Sequence, residues 1–409
     1  MTAFAGRARE RVRDQVRGRL PNRAWWTSPR SEPSAAQLPA TIPTAAVPAA
    51  AVKETGAPRR RRRGGKGMGG ERSMVPPATF TSYYGRPVVK PSPWEADIPV
   101  YLFFGGLAAG SSLLAAGADL TDRPALRRTG RLGAIGAITV SFVALVHDLG
   151  RPERFVKMLR TAKVTSPMSV GTWILSLYAP FCGAAAAAEL AGLVPAVRRS
   201  PLGRYLSPLG TGAGLLAAVT APPVAAYTAV LLADTATPSW HAAYRELPFV
   251  FVASAAAASG GLGMIGAPTS QTGPARRLAL AGAVVELLAE HRMEASMGIT
   301  AEPLHADTAG TLMRASRALM VAGAVGSLAG SRSRAVSVVS GLALIAGSAC
   351  TRFGVFEAGQ SSARDPKYTV VPQRERIQRG EPVRYRHPRW TRSPASQRSS
   401  NGITVTGPS

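Results

Sequence analysis

The chain has 409 residues, with 49 Lys plus Arg against 23 Asp plus Glu, and a formal charge of +26. Yet only 18% of residues are charged and 46% are apolar. Low charge density, with runs of about twenty residues rich in Ala, Gly, Leu and Val, excludes a string of soluble domains and marks a polytopic membrane protein. The basic excess is uneven: residues 1–73 carry 16 basic and 5 acidic side chains, and residues 359–409 carry 10 and 3. It belongs to the tails, says little about the core, and no nucleic-acid partner is expected. Cys182 and Cys350 are far apart and form no CxxC pair. That argues against an iron–sulfur cluster, which needs about four thiolates, and against a structural zinc site. Of five histidines, only His147 and His291 fall near apolar stretches, so no haem is expected in this chain.

In chain order, residues 1–73 read as a disordered basic extension, with an Arg-rich start, a Pro/Ala/Ser stretch and the run Arg59–Arg63 before a Gly-rich segment. Binding to anionic lipid headgroups is the functional alternative for it. The early chain lacks a compact apolar region, so no secretory signal is expected. Met68 and Met74 are also plausible starts.

Residues 74–358 carry eight apolar stretches of spanning length, at 98–120, 129–149, 170–193, 210–233, 247–267, 276–297, 312–330 and 335–356. The sixth is weakest, being interrupted by Glu286, Glu290, His291, Arg292 and Glu294. Backbone polar groups in lipid must be satisfied within each segment, so the expectation is an all-α, eight-transmembrane-helix bundle in the cell membrane. Gly105, Gly106 and Gly110, and Gly260, Gly261 and Gly263, permit close helix contact. Pro222–Pro223 should kink the fourth helix. Residues 359–409 form a polar tail.

An even number of spans puts both termini on one face. The loops on the other face hold Arg123, Arg127, Arg128 and Arg131, then Arg198, Arg199 and Arg204, then Arg276, Arg277, Arg332 and Arg334. By the positive-inside rule those loops are cytoplasmic and the tails external. Polar groups inside a bilayer are costly, so their placement is informative. The tail face collects Trp94, Asp97, Tyr101, His147, Asp148, Ser166, Ser169, Tyr227, Glu290, His291 and Arg352. The other face offers Asp119 and Glu189. Such a face suits a quinone, whose head needs partners that exchange protons while its tail stays in lipid. Aromatic belts and helix-end ion pairs, such as Asp148 with Arg151, are the competing explanation.

Four stretches carry a resemblance. They are FTSYYGRPVVKPSPWEADIPVYLFFGGLAAGSSLLAAGADL at 80–120, HDLGRPERFVKMLRTAKVTSPMSVGTW at 147–173, AAYTAVLLADTATPSW at 225–240 and TRFGVFEAGQSSARDPKYTVVPQRER at 351–376. Together they resemble the NrfD/polysulfide reductase membrane-subunit family, over roughly residues 74–377. The resemblance implies a membrane anchor that exchanges electrons between a four-cluster iron–sulfur ferredoxin-like subunit and menaquinone or another quinone. A molybdopterin catalytic subunit supplies or receives those electrons, and the anchor itself carries no haem or cluster. It implies a quinone site among the first four helices, with Tyr101, Asp148 and Tyr227 at polar positions of the family, and His147 and Asp97 beside them. Arg352 and Glu286 or Glu290, with His291, match further polar positions, read as a proton relay. The family's YTGVLL reads YTAVLL here, which leaves Tyr227 in place. The segment from Arg364 to Arg376, within 359–377, reads as polar and extended and docks on the partner. A proton- or ion-translocating transporter, or a purely structural anchor, are the alternatives.

Overall fold

The structure is a computed structural model that describes residues 87–149, 157–160, 162–201 and 203–380. The expected disordered extension at 1–73, the tail beyond 380 and Arg151 lie outside the described residues. Among the described residues all regular structure is helical: α1 (Asp97–Leu120), α2 (Pro124–Asp148), α3 (Pro167–Leu193), α4 (Pro195–Arg199), α5 (Gly203–Ala233), α6 (Pro238–Ala242), α7 (Leu247–Gly266), α8 (Gly273–Met297), a 3-10 turn (Gly298–Leu304), α9 (Asp307–Ala329), α10 (Arg334–Arg364) and α11 (Lys367–Gln378). Six of these, α1, α2, α3, α5, α7 and α10, are long and apolar enough to cross a membrane. The chain is a multi-pass membrane protein.

The local causes are simple. α2, α3, α4 and α6 each begin on a proline, which lacks the N–H that a first turn leaves unpaired and is preset to helical φ. Ser333 caps α10 by accepting from the Val336 N–H. Gly298 closes α8 at φ 57°, in the left-handed region that favours glycine, and turns the chain into the 3-10 segment. α5 stays helical through Pro208, Pro222 and Pro223, so no break interrupts it. Helices outrun the apolar stretches at both ends: α5 starts at Gly203 rather than 210, and α10 continues to Arg364 rather than 356.

The segment 367–378 corrects an expectation. It is a helix, α11, not an extended strand, because Asp365 Oδ1 accepts from the Lys367 N–H at 2.9 Å and fixes the first turn. Lys367 also bonds the Glu302 carboxylate across to the 3-10 segment.

α1 is the most buried of the six apolar helices and contacts α2, α5, α7 and α10. Glycine makes this closeness possible. A Cβ on Gly110 would stand 2.3 Å from Ser259 Oγ of α7, and one on Gly261 would stand 2.6 Å from the Gly341 carbonyl of α10. α8 lies antiparallel along α7, with Gly260 against Ala275 and Ala279, and Gly282 against Ala253 and Ala257. α9 lies along α10 in the same manner, Ser316 meeting Gly347 and Gly326 meeting Ser340.

Candidate functional site

The residues singled out in sequence gather where α1 begins and α2 and α5 end. Asp97 stands in the first turn of α1 and His147 in the last turn of α2. His147 Nδ1 donates to Asp97 Oδ2 at 2.7 Å, with the imidazole exposed and the carboxylate one-third exposed. A cation or proton donor at the C-terminal end of α2 and a carboxylate at the N-terminal end of α1 each complement the local helix dipole. Asp148, next in the chain, is half-buried at the end of α2.

Tyr101 and Tyr227 are buried within one continuous apolar core, at 2% and 7% exposure. The Tyr227 ring lies directly on Gly171 of α3: a Cβ there would stand 2.0 Å from Cζ and 2.2 Å from the hydroxyl. Glycine at 171 therefore makes the space that lets the α5 phenol reach α3. The backbone carbonyl of Tyr101 accepts from Ser141 Oγ of α2 at 3.0 Å.

A cavity of about 460 Å³ is lined by Leu149, Lys157, Met158, Lys163, Ser166, Met168 and Ser169, and Asp97, Tyr101, His147, Asp148 and Tyr227 are not among its lining residues. Leu149 follows Asp148, and Ser169 precedes Gly171 by two residues. The lining is two methionines and a leucine with a few polar groups, the pattern of a pocket for a mainly apolar ligand with a polar head.

The remaining expected residues fall elsewhere. Arg352 of α10 is fully buried; its Nη2 donates to the Phe251 carbonyl at 2.6 Å and its guanidinium carbon stands 3.8 Å from the Phe251 ring centroid. Its Nε and Nη1 have no hydrogen-bond partner. Near it, Glu286 of α8 accepts from Thr351 Oγ1 at 2.6 Å through Oε1, while Oε2 is without a partner. Thr351 Oγ1 also meets Ser316 Oγ of α9 at 2.6 Å. Glu290 is buried and bonded to Arg317 of α9 at 2.9 Å. Glu294 binds the same guanidinium, and His291 is exposed.

Arg317 and Thr351 were not picked out in sequence, although Glu286, Glu290 and Glu294 fall at i, i+4, i+8 on one helix face and ask for a partner. On the opposite face, Asp119 and Glu189 are not isolated: Arg127, Arg128 and Arg131 close on them. The i, i+4 spacing of Arg127 and Arg131 was the available signal.

An all-α multi-pass membrane bundle with buried phenols and carboxylates at one helix-end face is the class of protein that these features define. Residues 88–271 match the family described as polysulphide reductase, NrfD. Protein NrfD of Escherichia coli (strain K12) is similar, 35% identical over 95 residues, which cover 21% of this chain and 29% of the relative. The chain thus spans less than a third of that relative's length. Asp97, Tyr101, His147, Asp148 and Tyr227 lie inside the matched segment, whereas Glu286, Glu290, His291 and Arg352 lie beyond it.

Proposed function

We propose that the chain is the quinone-reactive membrane anchor of a redox complex. It exchanges electrons between a four-cluster iron–sulfur partner, itself served by a molybdopterin subunit, and the membrane menaquinone or quinone pool. The observation that carries the reading is the cavity between the end of α2 and the start of α3, lined by Leu149 next in the chain to Asp148, within the NrfD-type segment. Its size and largely apolar wall fit a quinone ring. A quinone supplies two-electron, two-proton chemistry when bound, so the protein's task is to place exchangeable protons at its oxygens. Asp148 holds one such proton position, and the Asp97–His147 pair offers a second within hydrogen-bond connection to water. Tyr101 and Tyr227, buried in the core and outside the cavity lining, are the further hydroxyl donors that this reading assigns to a carbonyl reaching past the cavity.

Replacing Asp148 by Asn keeps the shape and removes the exchangeable proton. Quinone-coupled turnover of the assembled complex should fall about 100-fold, as for loss of a general acid or base, with the complex recovered at the same yield. Unchanged turnover at equal assembly sinks the proton role.

In this reading all eight long helices cross the bilayer. α8 and α9 pack against α7 and α10, and the Glu290–Arg317 pair and the Glu294–Arg317 contact offset their charges. Residues 359–380 stand on the face where α1 begins, external by the positive-inside rule. α11, within the segment 359–377, docks the iron–sulfur partner there. One observation favours proton translocation as a second activity: Glu286 and Arg352 are buried with unpartnered polar atoms beyond the quinone cavity. A Glu286→Gln complex that turns over quinone normally but fails to acidify one side of sealed vesicles supports that activity; unaltered acidification removes it.

A further inference from the structure

On the face opposite the quinone cavity, four apolar helices end together: α1 and α3 finish there, α2 and α5 begin there. Asp119 of α1 and Glu189 of α3 are held by three arginines of α2. Arg127 reaches Asp119 at 3.1 Å and Glu189 at 3.0 Å; Arg131 reaches them at 2.7 and 3.1 Å; Arg128 reaches Glu189 at 3.4 Å. Thr211 Oγ1 of α5 donates to Asp119 Oδ2 at 2.8 Å. Every carboxylate oxygen is therefore engaged, and two negative charges face three positive ones.

These groups open into a cavity of about 210 Å³, which Arg198 at the end of α4 also lines. With Arg198 the excess is two positive charges. Arg131, 6% exposed, is one of the lining residues. The rest of the wall includes Leu193, Leu206, Gly192 and Gly203. α5 is cut to fit: a Cβ on Gly210 or Gly214 would stand 3.2 Å from an Arg131 guanidinium nitrogen.

From this arrangement we infer that the cavity binds the phosphate of an anionic glycerophospholipid. Guanidinium groups match phosphate oxygens by paired N–H donation, and four of them line this one cavity. The cavity's place at four spanning-helix ends sets it at the level of lipid headgroups. Basic loops on this face make it the cytoplasmic leaflet, where a basic pocket between membrane helices reads as a lipid headgroup site. A soluble phosphate shares the chemistry but not the apolar wall.

The test is thermal unfolding of the purified full-length chain in neutral detergent with phosphatidylglycerol, phosphatidylcholine or inorganic phosphate added. Phosphatidylglycerol should raise the midpoint and phosphatidylcholine should not. The double variant Arg128→Ala/Arg198→Ala, which leaves Arg127 and Arg131 on both carboxylates, should lose most of that rise. Arg277→Ala, an exposed cation on the same face outside the cavity, should keep it. Equal protection by both lipids, or a rise that survives the double variant, overturns the site. Protection by inorganic phosphate matching that of phosphatidylglycerol overturns the lipid as its source. Native mass spectra provide a second reading, with phosphatidylglycerol adducts retained by wild type and Arg277→Ala and lost from the double variant.

Discussion

Gly110 shows at a single position what the small residues of this chain do. Its missing side chain admits Ser259 Oγ, and the Ala255 carbonyl would sit 2.9 Å from an added Cβ. Backbone cannot retreat as a flexible side chain can, so Gly110→Ala should destabilise the bundle by about 1–3 kcal/mol through overpacking. Gly117 of the same helix has nothing within 4 Å of that position. Gly117→Ala should be neutral or slightly stabilising, since alanine is the better helix former; melting of both variants in the same detergent distinguishes them. Arg131 makes a second residue-scale case. Arg131→Met removes one cation between two buried carboxylates, and breaking such a network costs about 3 kcal/mol or more, whereas exposed Arg199→Met should be silent. Glycine packing and the individual polar candidates were legible in sequence, because a bilayer makes both conspicuous. The pairing Asp97–His147 was not, since nothing in spacing tells which helix end meets which across 50 residues.

At the scale of elements, α11 is held by charge more than by burial. None of its residues is buried, and Lys367 bonds the Glu302 carboxylate, which Tyr368 also approaches at 3.3 Å. The Lys367 ammonium holds the Glu302 carboxyl below its ordinary range, and the carboxylate raises the Lys367 pKa in turn. The lowered group contributes docking above its unfolded value of about 4.3, lost as pH falls through the still lower folded one. The raised group contributes below its unfolded value of about 10.4, lost as pH climbs through the higher folded one. α11 should therefore sit on the 3-10 segment from mildly acid to mildly alkaline pH and come away at both extremes. Exchange protection of its amides, corrected for intrinsic rates, should drop below about pH 4, in Lys367→Ala at neutral pH, and in 1 M salt, where screening shortens to about 3 Å. Protection indifferent to all three would show that apolar contact holds the helix. The long helices were legible from apolar runs, but α11 was misread as extended. Its sequence, KYTVVPQRERIQ, has a β-branched pair and an internal proline, while the Asp365–Lys367 bond and the contact with Glu302 come from the fold around it.

Over the whole molecule, the question composition left open is how α8 and α9 lie. Six helices pass as apolar spans, and these two do not, because Glu286, Glu290, Glu294 and Arg317 dilute their hydropathy. The structure sets Glu290 and Glu294 against Arg317 and gives Glu286 a hydroxyl from Thr351, which a hydropathy window cannot register. If all eight helices cross, a thiol placed by Ser270→Cys between α7 and α8 and one placed by Glu302→Cys after α8 react with an impermeant reagent from opposite sides of the cell membrane. Labelling of both from one side would mean that α8 does not cross. The native Cys182 is buried and Cys350 half-buried, which limits background.

The lead-in to α1 is fastened to the last long helix. Gln360 Nε2 of α10 donates to the carbonyls of Ser92 at 3.2 Å and Trp94 at 3.0 Å, and the Trp94 ring stacks at 5.9 Å on Trp240, whose Nε1 donates to Val355 at 2.8 Å. A ribosome delivers Trp94 more than 260 residues before Gln360. During synthesis the first helix must wait in the translocon or its surroundings, its central position unclaimed, until the final one arrives to close the ring. Nascent chains halted before Val355 should thus be held by insertion factors and degraded if released, and a chain rejoined at this seam and opened elsewhere would mature in a different order.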